Sequence, residues 1–515
     1  MARRPLPRIL TGAPLARSRA AARAAVHTAA DVLHPLIVVV RGLRRLAAGG
    51  RRRLSAAPPD RRGPALVMLA AGVVALALLP YGPALMMAGV LAAGAWAGRD
   101  RDPAETGPSE AESGRLQVLH DALVPYFSAT DDPGPLYAHG GDWQQAFSAW
   151  DFDDEGRITL LHLHYPPYFT DGEPAARARI EKLLHAKSGR GREYLFDWNE
   201  ELNELVMTVL EPLPTDIRAQ RFVTSPAETV LGFTDSGDVR RTVPVTTDDA
   251  PRDAPPVIWR TGPRTTEPHL LTLGRPGSGV STLLRSLALQ GLRHGDVLVV
   301  DGSGTGEYAC LLGREGVLAV ESGLAGALTS LEWAAHETER RLIAANRARQ
   351  LGHPAPDDTR RQLWIVLDRP SVLSQVAAAE GRTDPQELLG IPLRHGRAAQ
   401  VTVCVGDQLD CADLLADAVR SHTRARVILG TATAEEVTDV LDQPPHTTPP
   451  AHVPPGRGYA RLGAGPVHRL QVPATPDPYD DEVSEADRQA VLDLLPDPAG
   501  PELPAQPAAA VHADS

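Results

Sequence analysis

The chain has 515 residues, 43% hydrophobic and 23% charged, enough to bury cores in two or three domains. Its three cysteines, Cys310, Cys404 and Cys411, are too few and too scattered for a disulfide framework or a Cys-based zinc site. The net charge of −12 hides a division: residues 1–62 hold fourteen Arg against Asp31 and Asp60, a net +12, which leaves about −24 on the remainder.

The basic head, 1–62, leads into an uncharged stretch of 36 residues from Gly63 to Gly98. Pro80-Tyr81-Gly82-Pro83 breaks it into two apolar halves, Pro64–Leu79 and Pro83–Ala97, read as a transmembrane helical hairpin over 63–98. Each half spans about 23–24 Å, short of the roughly 30 Å hydrocarbon core, a gap that local thinning would close. Arg51, Arg52, Arg53, Arg61 and Arg62 precede the first half, so the excess of positive charge keeps both termini on the cytoplasmic side of a cell membrane. The alternative is a cleaved leader ending at Ala95-Trp96-Ala97; the long charged head and the doubled apolar run argue against it. Residues 26–46 read either as an interfacial amphipathic helix or as a solvated basic arm.

A polar linker, 99–114, precedes a small α+β adaptor domain over 115–245. In it Ile158–Tyr165 alternates as a strand, Pro174–Lys187 is a helix ending before Gly189, and Arg192–Trp198 and Glu204–Leu210 are strands about a polar turn. His162 and His164 share one strand face, a spacing open to metal binding, but the pattern supplies no third ligand. A second linker, 246–256, leads to the largest domain, 257–473, and an acidic, Pro-rich tail, 474–515, follows. The tail carries one short helix from Ser484 to Leu495 and is either a docking segment or a solubilising one.

The chemistry lies in the large domain. From Glu267 an apolar strand enters a loop with Gly274, Gly277 and Gly279, and Ser281-Thr282 open a helix. This strand–loop–helix context fits a phosphate-binding P-loop, whose backbone N–H groups and helix N-terminus hold an anion. Gly274 and Gly279 are in register with G-x-x-x-x-G-K-[ST], but Val280 stands at the lysine position. The only lysines are Lys182 and Lys187, so Arg275 and Arg285 are the nearby cations that could substitute. A strand Asp296–Val300 ends in Asp301, and Gln362–Leu367 ends in Asp368, the shape of a Walker B element. Arg369 follows where an acidic residue would orient the attacking water, and its guanidinium is expected to pair with Asp368. A further strand, Gln400–Val405, runs into Gly406-Asp407-Gln408. Alternating strands and helices imply a doubly wound, mostly parallel sheet, so the fold class is α/β.

The stretch PHLLTLGRPGSGVST resembles the P-loop of the FtsK/SpoIIIE family of DNA-pumping motors. The resemblance continues through LEWAAHETERRL, the strand to Asp368, HGRAAQVTVCVGDQ, TRARVILGTATAEEVTDVLD and PPGRGYARLG, about 200 residues in family order. The layout of hairpin, adaptor and one motor domain is most similar to TraB-type plasmid-transfer proteins of actinobacteria. Type VII secretion ATPases share the membrane pair but carry several motor domains. The resemblance implies that Gly274, Arg275, Gly277, Ser278, Gly279, Val280, Ser281 and Thr282 cradle the phosphates of ATP. It further implies that Ser281 or Thr282 with Asp368 holds Mg²⁺ and that Gln408 senses the γ-phosphate. Its partners would be double-stranded DNA and a hexameric ring, or a mixed ring with an active motor.

Val280, Arg369 and the Asp301-Gly302-Ser303 sequence, where the family has Asp-Pro-Lys, depart from that pattern. They point to a degenerate scaffold or regulatory subunit in DNA transfer or segregation. An active ATP-driven DNA translocase and a type VII secretion-like export component are the alternatives. Arg340, Arg341 and the Arg-rich stretch 347–361 form either a DNA-phosphate contact or a solvated face.

Overall fold

A computed structural model describes residues 108–500 apart from 130, 131, 190, 236, 238, 248, 249 and 449–451. The basic head and the apolar hairpin lie outside the described residues. Among the described residues no helix is long and apolar enough to cross a membrane.

Helix α1 (Glu110–Phe127) begins inside the stretch read as a linker. It buries Leu116, Leu119, Leu123 and Phe127, a three-and-four spacing that lays them along one face. Strands β1 (Phe147–Phe152) and β2 (Ile158–His164), helix α2 (Pro174–Ser188), and strands β3 (Tyr194–Asn199) and β4 (Glu204–Val209) complete the small domain's local elements. These four strands are antiparallel neighbours in the order β1-β2-β4-β3. The next strands are β5 (Glu228–Phe233), the short pair β6 (Val243–Val245) and β7 (Arg252–Ala254), and β8 (Pro256–Arg260). β5 falls in the range read as adaptor, yet it pairs with β17 and β8 in the large sheet.

The large domain runs through β9 (Leu270–Gly274), α3 (Val280–Gly291), β10 (Gly295–Asp301), β11 (Val317–Glu321), α4 (Leu324–Gln350) and α5 (Asp357–Arg360). It continues with β12 (Gln362–Asp368), α6 (Pro370–Glu380), α7 (Gly390–Ala399), β13 (Val401–Gln408), α8 (Asp417–His422), β14 (Ala425–Leu429) and α9 (Ala434–Leu441). Last come β15 (Thr447–Thr448), β16 (Arg457–Leu462), β17 (Val467–Gln471) and α10 (Glu485–Leu492). The ten-stranded sheet has the order β11-β10-β12-β13-β9-β14-β16-β17-β5-β8. From β11 to β14 all pairings are parallel; from β14 onward they are antiparallel. The sheet is therefore parallel only over its first six strands, and β13 separates the P-loop strand β9 from the Asp368 strand β12.

Both faces of the parallel part are covered, which explains its unbroken apolar runs. In β12, Trp364 and Val366 pack with Leu283, Leu284 and Leu287 of α3 on one face. Leu363, Ile365 and Leu367 pack with Leu331 of α4 and Leu393 of α7 on the other.

Two long-range features join the domains. β15 leaves the large domain and pairs with β3, Thr447 opposite Leu195, as the edge of the small sheet. Beside it Arg469 is paired with both Glu193 (2.9 Å) and Asp235 (2.8 Å). Glu193 also accepts from the hydroxyls of Thr447 (2.8 Å) and Tyr459 (3.1 Å). Glu193 and Arg469 are nearly inaccessible, so the carboxylate is satisfied by three donors rather than by water. The tail is also structural up to residue 500: Val491 is fully buried, and Leu494 and Leu495 pack on the core that α3 contributes to. A merely solubilising role for this stretch is thereby replaced by a docked one.

At the start of β9, His269 is fully buried and its Nδ1 accepts the Val403 N–H (3.1 Å), fixing β13 beside β9. Burial holds its pKa down at about 4, so the native imidazole stays neutral. Between pH 6.5 and 4 the unfolded chain binds a proton there that the folded one refuses, so stability falls with pH by roughly 3 kcal/mol. Urea unfolding of the native chain and His269→Gln at both pH values should show the native losing that increment relative to the variant. Parallel losses would contradict it.

Candidate functional site

The loop after β9 turns through Gly277 (φ +74°) and Gly279 (φ +99°) into α3. Gly279 is required twice over: its φ is left-handed, and a Cβ there would lie 3.0 Å from the Gly456 nitrogen. The Gly456 N–H donates to the Ser278 carbonyl (2.8 Å), so the segment Pro454–Gly456 braces the loop from outside. Ser278 itself is buried and its Oγ has no hydrogen-bond partner.

Val280 opens α3, and its methyl groups lie between β9 and β13. A Cβ on Gly274 would meet one at 2.8 Å, and a Cβ on Gly406 the other at 2.7 Å. The lysine position is thus filled by an isopropyl group packed on the apolar core. One residue on, the Ser281 hydroxyl donates to Asp368 Oδ2 (2.7 Å), and no bond of this kind links Thr282 to Asp368. Gln408 ends β13 directly opposite Gly274, at the rim of the same loop.

Asp368 is the hub. Its carboxylate is 2% exposed; Oδ2 accepts from Ser281 and from the Tyr308 hydroxyl (2.8 Å), while Oδ1 is buried without a partner. Burial pushes its pKa up to about 6, opposed by these two hydrogen bonds. Asp301 is its register neighbour on β10, and uses its oxygens on the N–H groups of Ser303 (3.1 Å), Gly304 (3.2 Å) and Gly306 (3.1 Å). That acceptor set shapes the glycine-rich loop that delivers Tyr308. Tyr308 was not legible as a site residue; its one signal is a lone aromatic at the end of a Gly-Ser-Gly-Thr-Gly-Glu run after a buried strand.

Three expectations about cations are corrected. Arg369 does not pair with Asp368: it sits in the left-handed region (φ +51°) as the N-cap of α6, and its backbone N–H turns to the Gly406 carbonyl (2.7 Å). Its charge acts instead on Asp407, which accepts from the Ser371 N–H (3.0 Å) and hydroxyl (2.9 Å). Arg275 is held outside the loop by Glu436 (2.6 Å) and the Thr431 carbonyl (2.8 Å). Arg285 is buried and spent on the Glu307 carbonyl (2.8 and 3.0 Å), the Glu307 carboxylate (3.2 Å) and the Thr475 carbonyl (2.8 Å), with its guanidinium over the Tyr308 ring. Arg275 and Arg285, the two cations that could substitute for the lysine, are thus both engaged with other acceptors.

Elsewhere, Arg340 and Arg341 both pair with Glu337, Arg360 with Asp357 and Arg361 with Asp296, which neutralises much of the Arg-rich stretch. His162 and His164 flank Glu204, at 3.3 and 3.6 Å.

No family model and no curated protein matches the chain. Similar solved structures include the pCW3 conjugation coupling protein TcpA in its monomer form with ATPγS, 14% identical, with a TM-score of 0.39, over 70% of this chain and 94% of that one. The cytoplasmic domain of the Thermomonospora curvata type VII secretion ATPase EccC is 23% identical with a TM-score of 0.37, over 55% of this chain and 31% of that one. EssC (ATPases 2 and 3) from Geobacillus thermodenitrificans is 14% identical with a TM-score of 0.42, over 55% of this chain and 51% of that one.

The two arginines near the loop should differ sharply on deletion. Arg285→Ala leaves buried carbonyls unsatisfied and should lower unfolding free energy by about 3 kcal/mol. Arg275→Ala removes a half-exposed ion pair and should change it by no more than about 1 kcal/mol. Denaturant titration of both variants checks this, and equal losses would contradict it.

Proposed function

We propose that this chain is a membrane-anchored, FtsK/SpoIIIE-like P-loop protein that binds nucleotide but is impaired in hydrolysing it. It serves DNA transfer or segregation as a scaffold or regulatory subunit, in a ring of its own or beside an active motor. The observation that carries the reading is Val280 packed between β9 and β13 while the Ser281–Asp368 hydrogen bond is kept. Phosphate binding draws mainly on backbone N–H groups and the start of α3, which this loop retains. Turnover draws on charge aimed at the transferring phosphoryl group and on a carboxylate that orients water. Val280 and Arg369 supply neither.

The donor set suits Mg²⁺. Asp368 Oδ1 is a buried oxygen awaiting a partner, and the Ser281 hydroxyl lies against the same carboxylate. Ser281 and Asp368 would hold the ion, which would supply positive charge against the charge of the phosphates. The chain's own part is to orient: Gly277 and Gly279 let the backbone approach phosphate, Tyr308 fixes the Asp368 carboxylate, and Gln408 sits at the loop rim where it would sense the terminal phosphate. The uncharged apolar stretch 63–98, read from the sequence as a hairpin, supports the anchored reading, and the sequence resemblance supports DNA as the partner.

Calorimetry with Mg·ATPγS on the purified full chain tests the binding half of this reading. The native chain should bind, and Ser281→Ala should weaken binding about tenfold or more in Mg²⁺ while changing it little in excess chelator. Absence of any binding by the native chain would overturn the proposal.

A further inference from the structure

Residues 474–500 are fixed to the body at two separated places. At the first, the Ala474 N–H donates to the Ile217 carbonyl (2.8 Å) and its carbonyl accepts from Ala219 (2.8 Å). At the second, Val491 is buried, Asp487 pairs with Arg218 (2.7 Å), and the Glu315 and Ala499 N–H groups bond the Asp497 (2.9 Å) and Gly313 (2.8 Å) carbonyls. A hollow of about 170 Å³, lined by Phe222, Ser286, Leu289, Gln290, Thr475 and Leu494, remains under the segment.

One contact carries this segment into the nucleotide site. The carbonyl of Thr475, a fully buried residue, accepts from Arg285 Nη1. Arg285 lies one helical turn after Ser281 on α3, and its remaining donors and its guanidinium face fix Glu307 and Tyr308. Tyr308 and Ser281 then converge on the same oxygen of Asp368. A buried guanidinium that loses an acceptor incurs a desolvation penalty that favours its rearrangement. If Thr475 withdraws, Arg285 must rehydrate or find a new partner, and either move disturbs the loop that presents Tyr308.

We propose that residues 474–500 form a regulatory clasp on the nucleotide site. Docked, the clasp fixes Arg285 and through it Tyr308 and Asp368, so that clasp release and nucleotide binding alter one another. The inference rests on the nucleotide-binding reading above. Because linkage is reciprocal, the factor by which release changes nucleotide affinity equals the factor by which nucleotide changes release. Arg285 and Tyr308 are positioning residues in this scheme, acting on Asp368 rather than on phosphate.

Hydrogen exchange on the full chain without nucleotide is the first test. Val491→Asp undocks the clasp by placing a carboxylate in the core that it covers, and Tyr308→Phe cuts the link while leaving the clasp docked. Val491→Asp should speed exchange about tenfold both within 476–499 and at 303–309 and 277–282. Adding Tyr308→Phe should leave the 277–282 stretch no faster than Tyr308→Phe alone leaves it. Acceleration confined to 476–499 would overturn the clasp. Should Val491→Asp fail to fold, Asp487→Lys, which reverses the charge facing Arg218, is used in its place. Proteolysis of the clasp is then timed with and without Mg·ATPγS: a change matching the affinity change in the undocked variant is expected, and an unchanged rate with nucleotide bound overturns the coupling. If nucleotide does not bind at all, the proposed function fails, while the nucleotide-free exchange still decides the clasp.

Discussion

Everything at the candidate site depends on one buried carboxylate. Asp368 ends a central strand, and a charge so placed needs donors. Ser281 supplies one from the P-loop helix and Tyr308 another from the loop after β10. Each donor has its own support. Ser281 is fixed by the glycine loop braced at Gly456, and Tyr308 by Asp301 and by Arg285 beneath its ring. The second carboxylate oxygen is left without a protein partner, which is the arrangement a cation would complete.

On the proposed reading, the loop keeps the backbone geometry that phosphate binding needs and lacks the charges that turnover needs. Val280 gains its packing from the two glycines that flank it, so the substitution is accommodated as a core residue. Arg275 and Arg285 already have surface or buried acceptors, and recruiting either would break those contacts. The small domain bears on the same region. β15, its borrowed edge strand, lies a few residues before the Pro454–Gly456 brace, and the Glu193–Arg469 pair locks the two sheets beside it.

Local chemistry was legible in the sequence. The P-loop and the strand to Asp368 are short, contiguous patterns whose apolar runs and glycines dictate their own geometry, and the helix Pro174–Ser188 has its proline at the start and Gly189 at the end. What the sequence did not disclose is set by distant partners. β5 and β8 are unremarkable runs until they meet in the large sheet, and two-residue β15 has no pattern of its own. The tail's acidic, Pro-rich composition masked Val491, Leu494 and Leu495, whose helical spacing marks a buried face without naming what it covers. The directions taken by Arg275 and Arg285 follow from where Glu436 and Thr475 lie, and the Arg369 backbone turns to Gly406; none of these partners is near in sequence.

The central claim is that the fold is a motor's and the missing charges keep it silent. Steady-state ATP turnover by the purified full chain, with and without double-stranded DNA, beside Val280→Lys/Arg369→Glu, tests it most directly. The account predicts background turnover for the native chain under both conditions and a clear gain for the double reversion. Native turnover that rises with DNA would contradict it and mark the chain as an active translocase.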